Sequence, residues 1–353
     1  MSGKNILVTG GCGFIGSNFI HAALRQAAVP VRTLVNLDAL TYAGSVENLA
    51  GLDDARYVLV RGDINDGPLT AQLLRAYQID TVLNFAAESH VDRAIDEPAP
   101  FVQANVVGAV RLLESALAYY RSLSGRRRED FRVVQISTDE VYGSLDAADG
   151  GFTETARYAP SNPYAASKAA ADHFARSFHR TYGLPLLVSH CSNNYGPRQL
   201  PEKLIPLLIL NARAGLPLPV YGSGANVRDW IYVADYAAGL LALLAGGRVG
   251  ESYHFGGGQE LANLQVAEKI CDLMDAWQPL AGGGTRRALI RLVADRPGHD
   301  FRYAMNTGKV RAELGWRPSH DFAGGIEKTA RWYLDQPAWR ADAVRYERRL
   351  RRD

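Results

Sequence analysis

Cysteine is scarce in this sequence. Three residues in 353, Cys12, Cys191 and Cys271, stand far apart along the chain. That spacing excludes a disulfide framework, shows no metal-ligand pattern, and favours a reducing compartment. An excess of either charge is also absent: 39 basic against 37 acidic residues leave a net charge of +2. At that balance neither nucleic acid nor an anionic membrane surface is an expected partner. No apolar run reads as membrane-spanning, and no signal peptide is expected ahead of a strand that starts almost at once, at Lys4. The cytoplasm is the expected location. Internal repeats and low-complexity segments are missing too. The arginines at Arg126, Arg127 and Arg128, and those between positions 340 and 352, read as solvated surface. What remains is ordinary globular composition, 47% apolar and 22% charged. A length of 353 residues exceeds what one core usually serves, so two domains are expected.

The first half alternates short apolar runs with longer amphipathic ones. Residues 6–9, 32–37, 58–60, 82–85, 133–137 and 186–189 read as buried parallel strands. Residues 15–27, 69–77 and 101–120 read as helices between them. Such a series of βα units predicts an α/β fold with a doubly wound parallel sheet of Rossmann type. After about Cys191, proline and glycine become frequent, as in a smaller, loop-rich α/β substrate domain. The expected division is 1–190, with roughly 230–256 returning to it, for the cofactor, and 191–229 with 257–353 for the substrate.

Gly11-Cys12-Gly13-Phe14-Ile15-Gly16 follows the first strand and opens the first helix. Glycines permit the tight turn and let backbone approach a pyrophosphate, and the helix N-terminus offers N–H groups and positive dipole to phosphate. Asp38 ends the second strand, where a carboxylate accepts from ribose hydroxyls and repels a 2′-phosphate. NAD is therefore the expected cofactor. Asp63, after the third strand, is a candidate for the adenine side.

Tyr164-Ala165-Ala166-Ser167-Lys168 places tyrosine and lysine one helical turn apart on a shared face. A nearby ammonium lowers a phenol pKa, so a tyrosinate base is expected there. Ser137-Thr138-Asp139-Glu140 follows the fifth strand, at the edge where the cofactor belongs. Two adjacent acids exceed what oxidation alone requires. A dehydration needs one group to take a carbon-bound proton and another to protonate the departing hydroxyl.

With these motifs the chain resembles the extended short-chain dehydrogenase/reductase family, and within it the nucleotide-sugar dehydratases, dTDP-glucose 4,6-dehydratases above all. The likeness also covers Ala86-Ala87-Glu88-Ser89-His90-Val91-Asp92-Arg93, Cys191-Ser192-Asn193-Asn194-Tyr195-Gly196-Pro197, Pro201-Glu202-Lys203-Leu204-Ile205-Pro206, Arg228-Asp229-Trp230-Ile231-Tyr232-Val233 and Asp295-Arg296-Pro297-Gly298-His299-Asp300. The resemblance implies a catalytic set of Thr138, Asp139, Glu140, Tyr164 and Lys168. It implies NAD contacts from Gly10, Gly13, Phe14, Ile15, Gly16, Asp38, Asp63, Ile64, Ala86, Tyr164 and Lys168. It implies substrate contacts from Ser89, His90, Asn194, Glu202, Lys203, Leu204, Pro219, Tyr221, Arg228, Asn263, Arg296 and His299, with Asn194 and Arg228 at the diphosphate. It further implies a homodimer paired through the helices at 101–120 and 169–182.

Two positions depart from the family pattern. Arg198-Gln199-Leu200 replaces a stretch that often carries an aromatic residue or histidine, and Ala39 stands where a lysine is frequent. The nucleobase and hexose are left open by the first, so UDP-glucose or another nucleotide hexose is an alternative to dTDP-glucose. An NAD-dependent nucleotide-sugar epimerase shares the glycine and Tyr/Lys motifs but has no use for the Asp139–Glu140 pair.

Overall fold

A computed structural model describes residues 3–25, 29–280, 282–336 and 339. The arginines expected as solvated surface between positions 340 and 352 lie outside the described residues. The first half runs β1 (Lys4–Thr9), α1 (Phe14–Arg25), β2 (Val31–Asp38), β3 (Tyr57–Arg61), α2 (Gly67–Ala76), β4 (Thr81–Asn84) and α3 (Val91–Asp96). Then come α4 (Ala99–Phe101), a π-helical segment (Val102–Gly108) and α5 (Ala109–Ser122), which form one continuous helix, Ala99–Ser122. They are followed by α6 (Gly125–Asp130), β5 (Arg132–Thr138), α7 (Pro163–Tyr182) and β6 (Leu186–Cys191).

These strands form a parallel sheet in the order β3-β2-β1-β4-β5-β6, extended at the β6 edge by a seventh strand, β10. The strand order reverses between β1 and β4, and in doubly wound sheets ligands bind beyond the carboxyl ends at that point. Alternation along each strand assigns side chains to the two faces. Ile6, Val8 and Val134 join one core with Phe19 and Ile20 of α1. Leu7, Val35 and Val133 join the other, with Leu74 of α2, Leu113 of α5 and Phe178 of α7. Burying each such side chain is worth about 1.5–3 kcal/mol, which is why near-continuous apolar runs read correctly as strands covered on both sides.

The chain continues through β7 (Asn193–Tyr195), α8 (Leu204–Ala214), β8 (Leu218–Tyr221), β9 (Val227–Tyr232), α9 (Val233–Gly246) and β10 (Ser252–Phe255). It ends with β11 (Glu260–Ala262), α10 (Asn263–Trp277), β12 (Ile290–Val293), β13 (Arg302–Tyr303), α11 (Gly308–Leu314) and α12 (Phe322–Asp335). Here β9 pairs antiparallel with β11 and parallel with β13 and β7, while β8 pairs with β12. A separate core of Leu208, Val220, Ile270, Met274, Phe322 and Tyr333 supports this region. Helix α9 packs back onto the sheet side, with Tyr236 and Leu240 in the same core as Phe19.

The helix Ala99–Ser122 corrects one expectation. It has 24 residues and a mean hydropathy of 1.2, enough by length and composition to cross a bilayer. Its apolar character has another destination, since Leu112, Leu113, Ala116 and Leu117 are buried against the sheet. The triple arginine of α6 is exposed, as expected, with Arg128 stacked 4.1 Å over the ring of Tyr120.

Candidate active site

The turn after β1 is held by its own sequence. Gly10 has φ +69, and a Cβ there would lie 2.7 Å from the backbone of Ala86. At Gly16 a Cβ would come within 2.5 Å of the Gly10 carbonyl. The amide of Gly11 donates to Asn36 Oδ1 (3.0 Å), and that of Cys12 donates to Asp38 Oδ2 (2.7 Å). Asp38 Oδ1 accepts from Leu40 N at 2.8 Å. Burial pushes the Asp38 carboxyl above its ordinary pKa against these amide donors.

A cleft of about 330 Å³ opens over this turn and is lined by Gly10, Gly13, Phe14, Ile15, Gly16, Asp38, Asp63, Ile64 and Ala86. Thr138, Asp139, Glu140, Tyr164 and Lys168 line the same cleft. The glycine turn and the catalytic motifs, more than a hundred residues apart in sequence, thus share one space. Bare glycine backbone, the first-turn amides of α1 and a carboxylate at the end of β2 suit a dinucleotide without a 2′-phosphate.

Helix α7 starts where it does because the Asn162 side chain accepts from Ala165 N (2.9 Å) and Pro163 occupies the first turn. The same Asn162 donates to Glu140 Oε2 at 3.4 Å, so the cap of one element reaches an acid on the next. Asp139 and Glu140 sit on a 3₁₀ turn directly after β5. Thr138 Oγ1 donates to Asp139 Oδ1 (3.2 Å) and accepts from Glu140 N (3.3 Å). Asp139 is 1% exposed and its Oδ2 has no hydrogen-bond partner. Burial, reinforced by the charges of Glu140 and Asp229, pushes its carboxyl well above the usual range. Its surroundings favour the protonated form, the form with a proton to give.

The tyrosine behaves otherwise than its spacing suggested. Lys168 Nζ donates to the Ile136 carbonyl at 2.6 Å. Burial, with Glu140 foremost among the neighbouring groups, pushes the Tyr164 phenol well up, and the Thr138 hydroxyl opposes it. Desolvation and like charge outweigh the ammonium in this cleft.

A second cleft of about 150 Å³ adjoins the first and shares Ser89, Glu140, Asn194 and Lys203 with it. His90, Leu204, Tyr221, Arg228, Asn263, Arg296 and His299 line it. Glu202 lines the first cleft. Pro219 lines neither; it is buried in β8, opposite Arg291. Arg228 is buried, stacks 4.3 Å over Tyr303, and gives its guanidinium to the carbonyls of Val227, Phe301 and Asp300. Burial and the neighbouring arginines hold His299 down to about 4, so it is neutral at physiological pH, against Asp295 Oδ1 at 2.6 Å. Arg296 Nε, Trp230 Nε1 and Asn194 Oδ1 are buried without hydrogen-bond partners. Buried orphans of this kind are uncommon and mark places where a polar ligand belongs.

Sequence reading overlooked Asn105. Within the π-helical segment its side chain takes the Glu88 amide (2.8 Å) and donates to the Glu88 carbonyl (2.9 Å) and Ser167 Oγ (2.8 Å). A π-bulge, frequent at functional sites, was not visible in the apolar periodicity. Asn193 and Gln199 also line both clefts.

Over residues 7–329 the sequence matches the GDP-mannose 4,6 dehydratase family. It is 53% identical over 334 residues to the dTDP-glucose 4,6-dehydratase of Xanthomonas campestris pv. campestris (strain B100), covering 94% of each chain. The chain belongs to the dTDP-glucose 4,6-dehydratase family. DesIV, a family member from Streptomyces venezuelae solved with NAD bound, superposes with a TM-score of 0.87 at 46% identity, covering 96% of this chain and 99% of that one. The UDP-glucose 4-epimerase of Thermus thermophilus, also solved with NAD, superposes at 0.80 with 27% identity over 94% of this chain and 99% of that one. The fold is thus common to dehydratases and epimerases, and what separates this chain from the latter is its likeness in sequence to the dehydratases.

Proposed function

We propose that this protein dehydrates dTDP-glucose to dTDP-4-keto-6-deoxyglucose on a resident NAD. The observation that carries this reading is Asp139, a buried carboxyl pushed toward its protonated form, beside a second carboxyl in the same cleft as the glycine turn and Tyr164. NAD, held by the glycine turn and Asp38, would supply a hydride acceptor and one positive charge to that cleft. Tyr164 takes the proton of the 4-hydroxyl, Thr138 hydrogen-bonds the same oxygen, and Lys168 supports the phenolate. With the phenol pushed up by its surroundings, losing that proton depends on the positive charges gathered around it. The ketone at carbon 4 acidifies the proton on carbon 5, and Glu140 removes it. Asp139 protonates the hydroxyl leaving carbon 6 as water. A proton returns to carbon 5, carbon 4 ends oxidised and carbon 6 reduced, and the cofactor is regenerated.

Arg228, Arg296 and Asn194 would meet the diphosphate, where guanidinium groups match phosphate geometry. His299, held neutral, suits a ribose hydroxyl; Glu202 and Lys203 suit the hexose. The working division of the chain is 1–190 with about 230–256 for the cofactor, and 191–229 with 257–353 for the nucleotide sugar. A homodimer in the cytoplasm completes the reading: Val102, Val107, Phe174 and Tyr182 are exposed apolar side chains on the two helices that would pair. Light scattering giving only a 38.5 kDa particle at micromolar concentration would refute the dimer. Parallel incubation with dTDP-glucose, UDP-glucose, GDP-mannose and CDP-glucose tests the activity, read as the alkali-absorbing 4-keto-6-deoxy product. Turnover of dTDP-glucose first among them is expected, and epimerised product with no keto sugar would overturn the dehydratase reading.

A further inference from the structure

One buried carboxylate has no task in that chemistry. Asp172 is 0% exposed. Its Oδ2 accepts from Ser137 Oγ at 2.6 Å and from the Tyr158 hydroxyl at 3.0 Å, and lies 3.1 Å from His190 Nε2. The three partners come from three places. Ser137 is the penultimate residue of β5, immediately before Thr138, Asp139 and Glu140. His190 lies on β6, just ahead of the segment that carries Asn194. Tyr158 belongs to the loop that leads to Asn162, the residue that caps α7 and reaches Glu140. Asp172 itself rides on α7, one turn beyond Lys168 and two beyond Tyr164, on the same helix face. A single carboxylate group therefore joins both elements that bear the catalytic set.

The charges agree with the geometry. Burial alone would raise the Asp172 pKa, but His190, Lys168 and Ser137 outweigh it and hold the carboxyl below its usual range. Lys168 is the converse case: burial lowers its pKa, and Asp172 is the foremost group opposing that. Among the described residues Lys168 has no ion pair; its ammonium donates to the neutral Ile136 carbonyl. Asp172 Oδ1 makes no hydrogen bond; the carboxylate is held through Oδ2 by Ser137, Tyr158 and His190, and the buried ammonium of Lys168, one helical turn away, has in Asp172 its foremost compensating charge.

We propose that Asp172 is a positioning residue for the oxidation of carbon 4, the buried counter-charge that keeps Lys168 an ammonium and locks α7 to β5. This rests on Tyr164 and Lys168 acting as read above. Around Asp172 stand His190 from β6, Lys168 from α7, Tyr158 from the preceding loop and Tyr142 from the 3₁₀ turn; Cys191 of β6 faces Lys168, and Arg176 of α7 lies 4.9 Å over the Tyr158 ring. His254 of β10 stands behind them, 2.7 Å from the Tyr142 hydroxyl.

Asp172→Asn keeps the shape and removes the charge. Without the anion, Lys168 loses its proton at lower pH, and the phenolate loses its support with it. The alkaline limb of the kcat–pH profile is expected to move down by about one unit or more, the scale on which one nearby opposite charge acts. In a single turnover at pH 8, formation of enzyme-bound NADH from dTDP-glucose is expected to slow at least about tenfold, with NAD content and KM near those of the unmodified protein. A carboxylate that only stabilised the fold would lower the rate evenly at every pH, and a folded variant with an unmoved alkaline limb would overturn the proposal. Should Asp172→Asn not fold, Tyr158→Phe carries the test. It removes one donor from the carboxylate, so Asp172 protonates at higher pH and the acid limb must move up; a fixed limb overturns the proposal. The unmodified protein separates the two readings. If it yields neither NADH nor keto sugar, the dehydratase reading has failed; if it yields both and the limbs stay put, only the role of Asp172 has.

Discussion

Asp139→Asn is the substitution whose outcome the structure specifies most closely. The side chain is 1% exposed, its Oδ1 accepts from Thr138, and its Oδ2 is an orphan. Burial and the charges of Glu140 and Asp229 push the carboxyl well above its usual range, which favours its neutral form. Asparagine reproduces that neutral, planar form, so little repacking is needed. What it cannot do is give up a proton. General acid catalysis is worth about 100- to 10,000-fold, which at 1.36 kcal/mol per tenfold is about 2.7–5.4 kcal/mol of barrier. The loss should fall on the elimination alone. Rapid mixing with dTDP-glucose is expected to show NADH forming near the native rate and then persisting, while keto-sugar formation drops by that factor. The stability consequence has a definite sign. A carboxyl with a raised folded-state pKa stabilises the protein fully only below its unfolded value, about 3.9, and that contribution is lost as pH rises toward the folded value. The variant escapes that loss, so its Tm relative to the native protein should rise between pH 4 and pH 7. Product formation within threefold of native, or failure to form NADH in a folded, NAD-loaded variant, would refute the assignment of Asp139 as the acid.

Glu140→Gln should also permit NADH formation but should most reduce exchange of the carbon 5 proton with deuterated solvent, whereas Tyr164→Phe should block NADH formation itself; equal behaviour of the two in single-turnover absorbance would refute the division of labour. Gly16→Ala introduces a Cβ 2.5 Å from the Gly10 carbonyl, so NAD content after purification should fall at least about tenfold, measured by cofactor release on denaturation. The unmodified protein, denatured without added cofactor, should release close to one NAD(H) per chain, and a steep dependence of activity on added NAD would contradict a resident cofactor.

Local spacing made much of this molecule legible. The glycine turn, Asp38 and the Tyr164/Lys168 pair are each set within one βα unit or one helical turn, and all of them line one cleft. Five of the six apolar runs became buried strands because a strand covered on both faces has to be apolar throughout; the remaining one, β3, is a half-exposed edge strand. Residues whose meaning depends on burial were illegible. Tyr164 and Lys168 share a helix face as expected, yet the phenol is pushed up, first by its burial and then by Glu140 from another element of the same cleft. Asp172 looked like one more polar residue in an amphipathic helix until the fold placed Ser137, Tyr158 and His190 around it. The small mixed sheet was beyond reach for a different reason. Strands of two and three residues, such as Arg302–Tyr303 and Asn193–Tyr195, carry no periodicity and exist only through long-range pairing with β9. The resemblance implies a substrate contact from Pro219, but this residue is buried in β8 and lines neither cleft.

The seventh strand has a consequence for how the protein comes off the ribosome. The glycine turn is made within the first 16 residues, but the sheet it serves is not complete until Phe255, since β10 pairs with β6 from across the intervening α8, β8, β9 and α9. Until then the nascent chain presents an open strand edge, and the face of α1 that α9 will cover is bare. Open edges invite pairing with other chains, and incomplete intermediates are aggregation-prone. A polypeptide halted near residue 190 should therefore appear as a chaperone client or an aggregate, not as a free NAD-binding fragment. The interleaved chain path ties maturation of the cofactor site to synthesis of β9, and with it to Arg228.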